Sequence, residues 1–171
     1  MARLDAAAAH GCALMIGTTG CTDEQKSRIA SAGRRVPLIH APNTSVGVNL
    51  LFKLAGQVAA ALGEDYDIEI IEAHHRFKKD APSGTAVRLA ENICAATGRD
   101  YRRAVVHGRE GITGERQRGQ IGMHAVRAGD IIGDHTVIFC ALGERIELTH
   151  RAHTRDTFAR GAIRAARFLA G

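Results

Sequence analysis

The sequence has no tryptophan, only two tyrosines and five phenylalanines, and no two glycines spaced two positions apart. So few aromatic rings leave little surface on which bases could stack, which argues against a nucleic-acid-binding module. The missing G-x-G excludes the complete Gly-rich turn of a dinucleotide-binding fold, and the missing G-x-x-x-x-G-K-[ST] excludes a P-loop. The four cysteines form no C-x-x-C pair and the histidines show no H-E-x-x-H spacing, so the sequence predicts no metal site.

Long apolar runs and strong charge are also missing. No apolar run approaches the roughly 20 residues of a membrane span, and residues 1–9 carry Asp5 and lack the apolar stretch of a signal peptide. We therefore expect a cytoplasmic protein whose cysteines are reduced core residues rather than nucleophiles. The net charge of +5 fits either a mildly basic surface or an anionic partner, and the scattered basic residues favour the former.

The first forty residues alternate between helical and strand patterns. We predict helices over 2–10 and 23–32, and short strands over 13–16 and 36–40. This alternation is typical of a parallel α/β architecture.

From residue 45 onward the pattern changes. We predict helices over 45–62, about 83–97 and 158–169, a strand over 67–73, a Gly-rich loop over 107–119, and antiparallel strands over 120–127, 135–141 and 144–152. This part therefore has an α+β pattern, with a mixed, mostly antiparallel sheet and helices on one face. We interpret the Gly-rich loop as a connecting or oligomer-forming segment; a flexible lid or a phosphate cradle is the alternative.

One stretch, from Glu69 to Ala86, differs from the rest of the chain. A predicted strand runs into a turn with two histidines, one arginine and two lysines, and Ser-Gly-Thr then opens a helix. Free N–H groups at a helix N-terminus, together with nearby cations, are suited to bind a carboxylate or a phosphate. A capped helix after a solvated basic turn explains the residues equally well, so the physical chemistry alone leaves both interpretations open.

The stretch matches the pattern E-I-x-E-x-H-x-x-x-K-x-D-x-P-S-G-T-A at every fixed position. In this it resembles the signature of the dihydrodipicolinate reductase family. Further segments resemble the family in the same order along the chain; they are residues 16–20, 43–49, 109–116, 126–131, 143–145 and 149–150.

The resemblance implies specific roles. His74 would be the proton donor and Lys78 the second catalytic residue. The substrate carboxylates would bind to His75, Ser83, Gly84 and Thr85. The nicotinamide side of NADH or NADPH would contact Gly17, Thr18, Thr19, Ala41, Pro42, Asn43 and Thr44.

The resemblance also implies a function and an assembly. Members of the family transfer a hydride to a cyclic dicarboxylate in lysine and diaminopimelate biosynthesis, and they assemble as homotetramers. The family's Gly-rich turn is not found here, so we expect a truncated form with a remnant of a Rossmann-type parallel sheet. The expected domains are a partial dinucleotide-binding domain over 1–42, a substrate-binding and oligomerisation domain over 43–155, and a C-terminal helix over 156–171 that returns toward the cofactor domain.

Three functions remain open on the sequence. The first is an NAD(P)H-dependent reductase, and the second is a non-catalytic domain that binds the substrate and forms oligomers. The third, a basic RNA-binding module, predicts salt-dependent binding to nucleic acid, and we expect none. The choice between NADH and NADPH is left open, because no residue that would read the ribose 2′ position is found.

Overall fold

The computed structural model describes all residues, Met1–Gly171. The helices are α1 (Ala2–His10), α2 (Asp23–Ala32), α3 (Val46–Leu62), α4 (Gly84–Thr97), α5 (Tyr101–Ala104) and α6 (Asp156–Leu169), with a 3-10 turn at Gly63–Asp65. The strands are β1 (Leu14–Ile16), β2 (Leu38–His40), β3 (Asp67–His74), β4 (Val105–His107), β5 (Ile121–Arg127), β6 (Asp134–Ala141) and β7 (Glu144–Arg151). The chain divides into two compact units, one of Met1–Val46 with Arg155–Gly171 and one of Gly47–Thr154.

The first unit is built around two short parallel strands. β1 pairs with β2 in parallel, and a small apolar cluster of Leu4, Ile29 and Ala32 forms the core beside them. α6 packs against both strands. A Cβ added to Gly161 of α6 would lie 1.7 Å from the Thr44 carbonyl oxygen, so this close approach requires glycine.

The second unit is a five-stranded sheet in the order β4-β5-β3-β6-β7. Its core lies on one face, where α3 and α4 pack on alternate residues of the central strands. On β3 these are Ile68, Ile70 and Glu72, all of them buried. The predicted combination of a small parallel sheet and a mixed sheet with helices on one face is confirmed.

The direction of one strand was predicted wrongly. Residues 120–127 were expected to be antiparallel, but β5 runs parallel to both β3 and β4. A parallel partner needs a long crossover, and here α4 and α5 lie between β3 and the next strands. Half of the pairings in this sheet are therefore parallel. The sequence did not predict this, because alternation of apolar residues indicates a strand but not its direction.

Helix α3 is more apolar than the sequence prediction allowed. With the 3-10 turn it forms a 20-residue helical segment, Val46–Asp65, that could cross a membrane by length and composition alone. The prediction that no such run exists is corrected. The apolar residues Val48, Leu51 and Ala55 lie in the core cluster of the second unit, whereas Val46 and Leu50 are 51% and 55% exposed.

Candidate functional site

The carboxyl end of β3 carries a carboxylate with no exposed surface. Glu72 accepts hydrogen bonds from Arg127 Nη1 and Nη2 at 2.8 and 2.7 Å, and from the backbone N–H of Ser83 at 3.0 Å. His74 Nδ1 lies 2.6 Å from Glu72 Oε2. Burial raises the pKa of Glu72, but hydrogen bonds from His74, Arg127 and Ser83 outweigh it and lower the pKa to about 2.

The same carboxylate ties β3 to the start of α4. Ser83 is the N-cap residue, and its Oγ accepts the N–H of Ala86 at 3.2 Å while its own N–H binds Glu72. Gly84 and Thr85 form the first turn of α4, directly after this cap. The ring of His74 and the N-terminus of α4 therefore share one anchoring group.

His135 completes this cluster, and the sequence analysis gave it no role. It lies opposite Glu72 in the antiparallel register of β3 and β6. Its Nε2 is 3.0 Å from Ser83 Oγ, and its ring meets that of His74 edge to face with centroids 5.2 Å apart. Burial, and after it the nearby His74, lower the pKa of His135 to about 3, so the ring is neutral at pH 7.

The roles of His135 and Arg127 could not be predicted from the pattern of any single strand. Both His135 and Arg127 come next to Glu72 and His74 only through the pairing of three strands. Arg127 lay within a segment that resembles the family, but the resemblance assigned it no role. A correct prediction of strand order would have brought these residues together.

The turn after β3 holds the predicted cations. Lys78 Nζ donates to both carboxylate oxygens of Asp80 at 2.8 Å, and this contact lowers the pKa of Asp80. Arg127 Nη2 donates to the Asp80 carbonyl at 2.7 Å, which fastens the turn to β5. His75 Nδ1 is buried without a hydrogen-bond partner, and is thus a polar atom that a ligand could satisfy.

The structure brings some of the predicted site residues together and leaves others apart. His74 and Ser83 belong to one hydrogen-bonded cluster through Glu72. Lys78 pairs with Asp80 instead of with His74. The seven residues predicted to contact the cofactor all lie in the first unit, whereas the predicted catalytic and substrate-binding residues all lie in the second.

The seven residues predicted to contact the nicotinamide end of a dinucleotide follow two parallel strands of the first unit. Gly17, Thr18 and Thr19 follow β1, and residues 41–44 (Ala41, Pro42, Asn43 and Thr44) follow β2. Because β1 and β2 are parallel, both segments leave the same edge of the sheet, where such ligands bind. The N–H of Ala41 donates to the Ile16 carbonyl at 3.0 Å and links the ends of the two strands.

The helix that follows β1 does not fit a pyrophosphate. At the N-terminus of α2, Thr22 and Gln25 cap each other in a reciprocal pair of hydrogen bonds. Asp23 and Glu24 add two acidic side chains to the first turn, where they repel an anion.

A second acidic hub lies further along β3. Glu69 accepts hydrogen bonds from Arg109 at 2.9 and 3.1 Å and from Arg116 Nε at 3.0 Å, and it lies 2.7 Å from His124 Nε2. Burial raises the pKa of Glu69, and these partners lower it to about 2. Arg109 and Arg116 fasten the loop at 108–120 to the sheet, and both are already paired with Glu69.

Comparisons with known proteins give the family of this chain. The family model described as dihydrodipicolinate reductase, C-terminus, matches residues 47–171, and the model for its N-terminus matches residues 1–44. The chain belongs to the dihydrodipicolinate reductase family. The resemblance noted in the sequence is thereby confirmed.

Two relatives named 4-hydroxy-tetrahydrodipicolinate reductase illustrate the similarity. The chain is 55% identical to that of Citrifermentans bemidjiense over 166 residues, which are 97% of this chain and 62% of the relative. It is 57% identical to that of Hahella chejuensis over 162 residues, which are 95% of this chain and 61% of the relative. The chain thus spans about three fifths of the length of these relatives.

A solved structure shows the same fold. It is a dipicolinate-bound dihydrodipicolinate reductase from Paenisporosarcina sp. TG-14, 30% identical, with a TM-score of 0.73. The match covers 98% of this chain and 63% of that one.

Proposed function

We propose that this chain binds the cyclic dicarboxylate substrate and supplies the proton donor of an NADH- or NADPH-dependent 4-hydroxy-tetrahydrodipicolinate reductase. The enzyme would act in lysine and diaminopimelate biosynthesis. The observation that carries the proposal is the Glu72 carboxylate, which holds the His74 ring and the N-terminus of α4 in one cluster. A proton donor and an anion-binding helix end are the two parts that this reaction needs.

Binding of the substrate would use the cations and the free N–H groups of this region. Gly84 and Thr85 lie in the first turn of α4, where N–H groups and the helix dipole favour a carboxylate. His75 offers a buried ring nitrogen without a partner. Lys78, which is paired with Asp80 in the turn after β3, adds positive charge for the second carboxylate.

Protonation of the substrate would use His74. Its Nε2 has no hydrogen-bond partner in the chain, and Glu72 balances the positive charge of the ring when both nitrogens are protonated. The neutral His135 packs against the ring and adds no competing charge. Bound NADH or NADPH would supply the hydride, with Gly17, Thr18 and Thr19 and residues 41–44 at its nicotinamide end.

The proposal extends to assembly and location. The face of the large sheet that points away from α3 and α4 carries Ile71 and Val126, which are 37% and 44% exposed. A homotetramer would cover these two apolar side chains, and we propose that assembly for a cytoplasmic enzyme.

One observation favours a second candidate function. The N-terminus of α2, the helix that follows β1, does not suit a pyrophosphate, because its first turn carries Asp23 and Glu24. A chain that binds the dicarboxylate and forms oligomers without turning over would have this property. Substrate binding without cofactor binding or turnover would identify that alternative.

A calorimetric titration with dipicolinate, a cyclic dicarboxylate, tests the binding site. We expect one site per chain and an affinity at least about tenfold weaker in Lys78→Ala, because a cation lost beside a carboxylate costs about 1.5–3 kcal/mol. Lys79→Ala is the matched control, since it removes the same charge from an exposed neighbour. Absence of binding, or an equal loss in both variants, would refute the proposed site.

A further inference from the structure

The two ring nitrogens of His74 lie in different surroundings. Nδ1 is 2.6 Å from Glu72 Oε2, whereas Nε2 has no hydrogen-bond partner in the chain. On the Nε2 side lies Gly133, where an added Cβ would come within 3.1 Å of that atom. A glycine at this position therefore keeps the approach to Nε2 free of a side chain.

The Glu72 carboxylate is itself held in place. Arg127 donates to both of its oxygens in a bidentate pair, and the N–H of Ser83 donates to Oε1. With its pKa at about 2 the group is ionised, and an ionised carboxylate only accepts hydrogen bonds. Nδ1 of His74 must consequently carry a hydrogen and donate it.

We propose that Glu72 is a positioning residue that fixes His74 as the Nδ1–H tautomer and leaves Nε2 as the nitrogen that exchanges the catalytic proton. The chemical part of this inference rests on the proposed function. The positional part rests on the geometry of Glu72, His74 and Arg127 alone. A carboxylate that orients a histidine through one nitrogen, so that the other can act, is a recurrent arrangement in active sites.

The proton transfer balances under this assignment. In the doubly protonated ring, the Nε2–H bond breaks as a C–H bond forms on the substrate, and the electron pair of the broken bond stays on Nε2. The product ring is the neutral Nδ1–H tautomer, which still donates to Glu72. A proton from solvent then restores Nε2–H, so the hydrogen bond to Glu72 persists through the cycle.

A purely structural role for Glu72 makes a different prediction. The carboxylate could serve only to join β3, Arg127 and the start of α4, with no influence on the imidazole. Its replacement would then lower stability without changing the tautomer of His74. The tautomer is therefore the property that separates the two roles.

The chain contains a matched internal control. His124 contacts its carboxylate, Glu69, through Nε2 at 2.7 Å, the opposite nitrogen from that of His74. The neutral form of His124 should accordingly be the Nε2–H tautomer. A substitution of Glu72 should change the tautomer of His74 and leave that of His124 as it was.

The experiment is nitrogen-15 NMR of the chain with labelled histidine side chains, at a pH where the rings are neutral. Two-bond nitrogen–hydrogen correlations distinguish the tautomers, and the His74 signals are those that disappear in His74→Gln. We expect Nδ1–H for His74 in the wild type and a mixture with Nε2–H in Glu72→Gln. Either an Nε2–H wild type or an unchanged tautomer in Glu72→Gln would overturn the proposal.

A second variant covers the case in which Glu72→Gln fails to fold because the charge of Arg127 loses its partner. Glu72→Asp keeps the charge and withdraws the carboxylate by one methylene, so we expect a mixed tautomer there as well. If His74 in that variant stays fully Nδ1–H, Glu72 does not set the tautomer. Because this readout needs no substrate, its failure is distinct from failure of the dipicolinate titration.

Discussion

At the scale of single residues, His74 and His135 touch each other but have different partners. His74 donates to an ionised carboxylate, whereas His135 contacts the hydroxyl of Ser83 and is 3% exposed. One ring thus faces a carboxylate and the other is kept neutral. A site that must bind a dianion and also donate a proton benefits from this division.

The neutral state of His135 makes stability depend on pH. Its pKa falls from 6.5 to about 3, first through burial and then through His74; Glu72 opposes this shift, and His150 and Lys78 add smaller reductions. Between these values the unfolded chain binds a proton that the folded chain does not. Stability should therefore fall as the pH drops below about 6.5, by up to about 1.4 kcal/mol per unit.

Urea unfolding between pH about 5 and about 6.5 measures this effect. The carboxylates Glu69 and Glu72, with pKa values of about 2 in the folded state, lose their contribution only below about 4.5. His135→Gln keeps a polar group beside Ser83 but cannot titrate, so we expect a shallower slope; His10→Gln, on an exposed helix end, is the control. An equal slope in wild type and His135→Gln would show that His135 is not held neutral.

The sequence alone predicts those of the proposed site residues that belong to one continuous motif. His74, His75, Lys78 and Ser83 fall within eighteen consecutive positions, so their pattern could be matched directly. The partners of this motif are distant along the chain. Arg127 Nη1 and Glu72 Oε2 meet across a separation of 55 residues, and that contact depends on the strand register rather than on any local pattern.

At the scale of elements, the loop at 108–120 is fastened to β3 through Glu69. Gly122, the neighbour of Glu69 in the parallel register, leaves the space that the carboxylate occupies. A Cβ added there would lie 1.7 Å from Glu69 Oε2. The short strand β4 and the direction of β5 were not predicted. Both depend on the paths that this loop and α4 take across the sheet, which no local sequence pattern shows.

Gly122→Ala should release the loop. The added Cβ displaces Glu69 from Arg109 and Arg116, and we expect a loss of about 1–3 kcal/mol in the free energy of unfolding. Hydrogen exchange at 108–120 should become faster. In a Glu69→Ala background the obstruction is gone, so Gly122→Ala should then cost almost nothing; equal costs in both backgrounds would refute the coupling.

At the scale of the whole molecule, the predicted cofactor and substrate residues lie in different compact units. In the first unit β1 and β2 end at one edge, where we propose that the nicotinamide binds, whereas the N-terminus of α2 does not suit a pyrophosphate. The sequence indicated this imbalance through its missing G-x-G. In the structure the N-terminus of α2 is capped by its own side chains and acidic, so it does not replace the missing turn.

The chain by itself should therefore bind NADH and NADPH weakly or not at all. The pyrophosphate supplies two negative charges, and the capped, acidic N-terminus of α2 is not suited to hold them. Calorimetric titration with each dinucleotide measures this directly. A micromolar dissociation constant for either cofactor would contradict the expectation.

The central claim is that His74 protonates a dicarboxylate bound at the start of α4. Its most direct test is the rate of substrate-dependent NADPH oxidation by His74→Gln, in the chain extended with the cofactor-binding segment of a relative. We predict a rate at least about 100-fold lower than that of the extended wild type, with dipicolinate affinity within about twofold, because loss of a general acid costs about 10²–10⁴ in rate. An unchanged rate would contradict the claim and remove His74 from the role of proton donor.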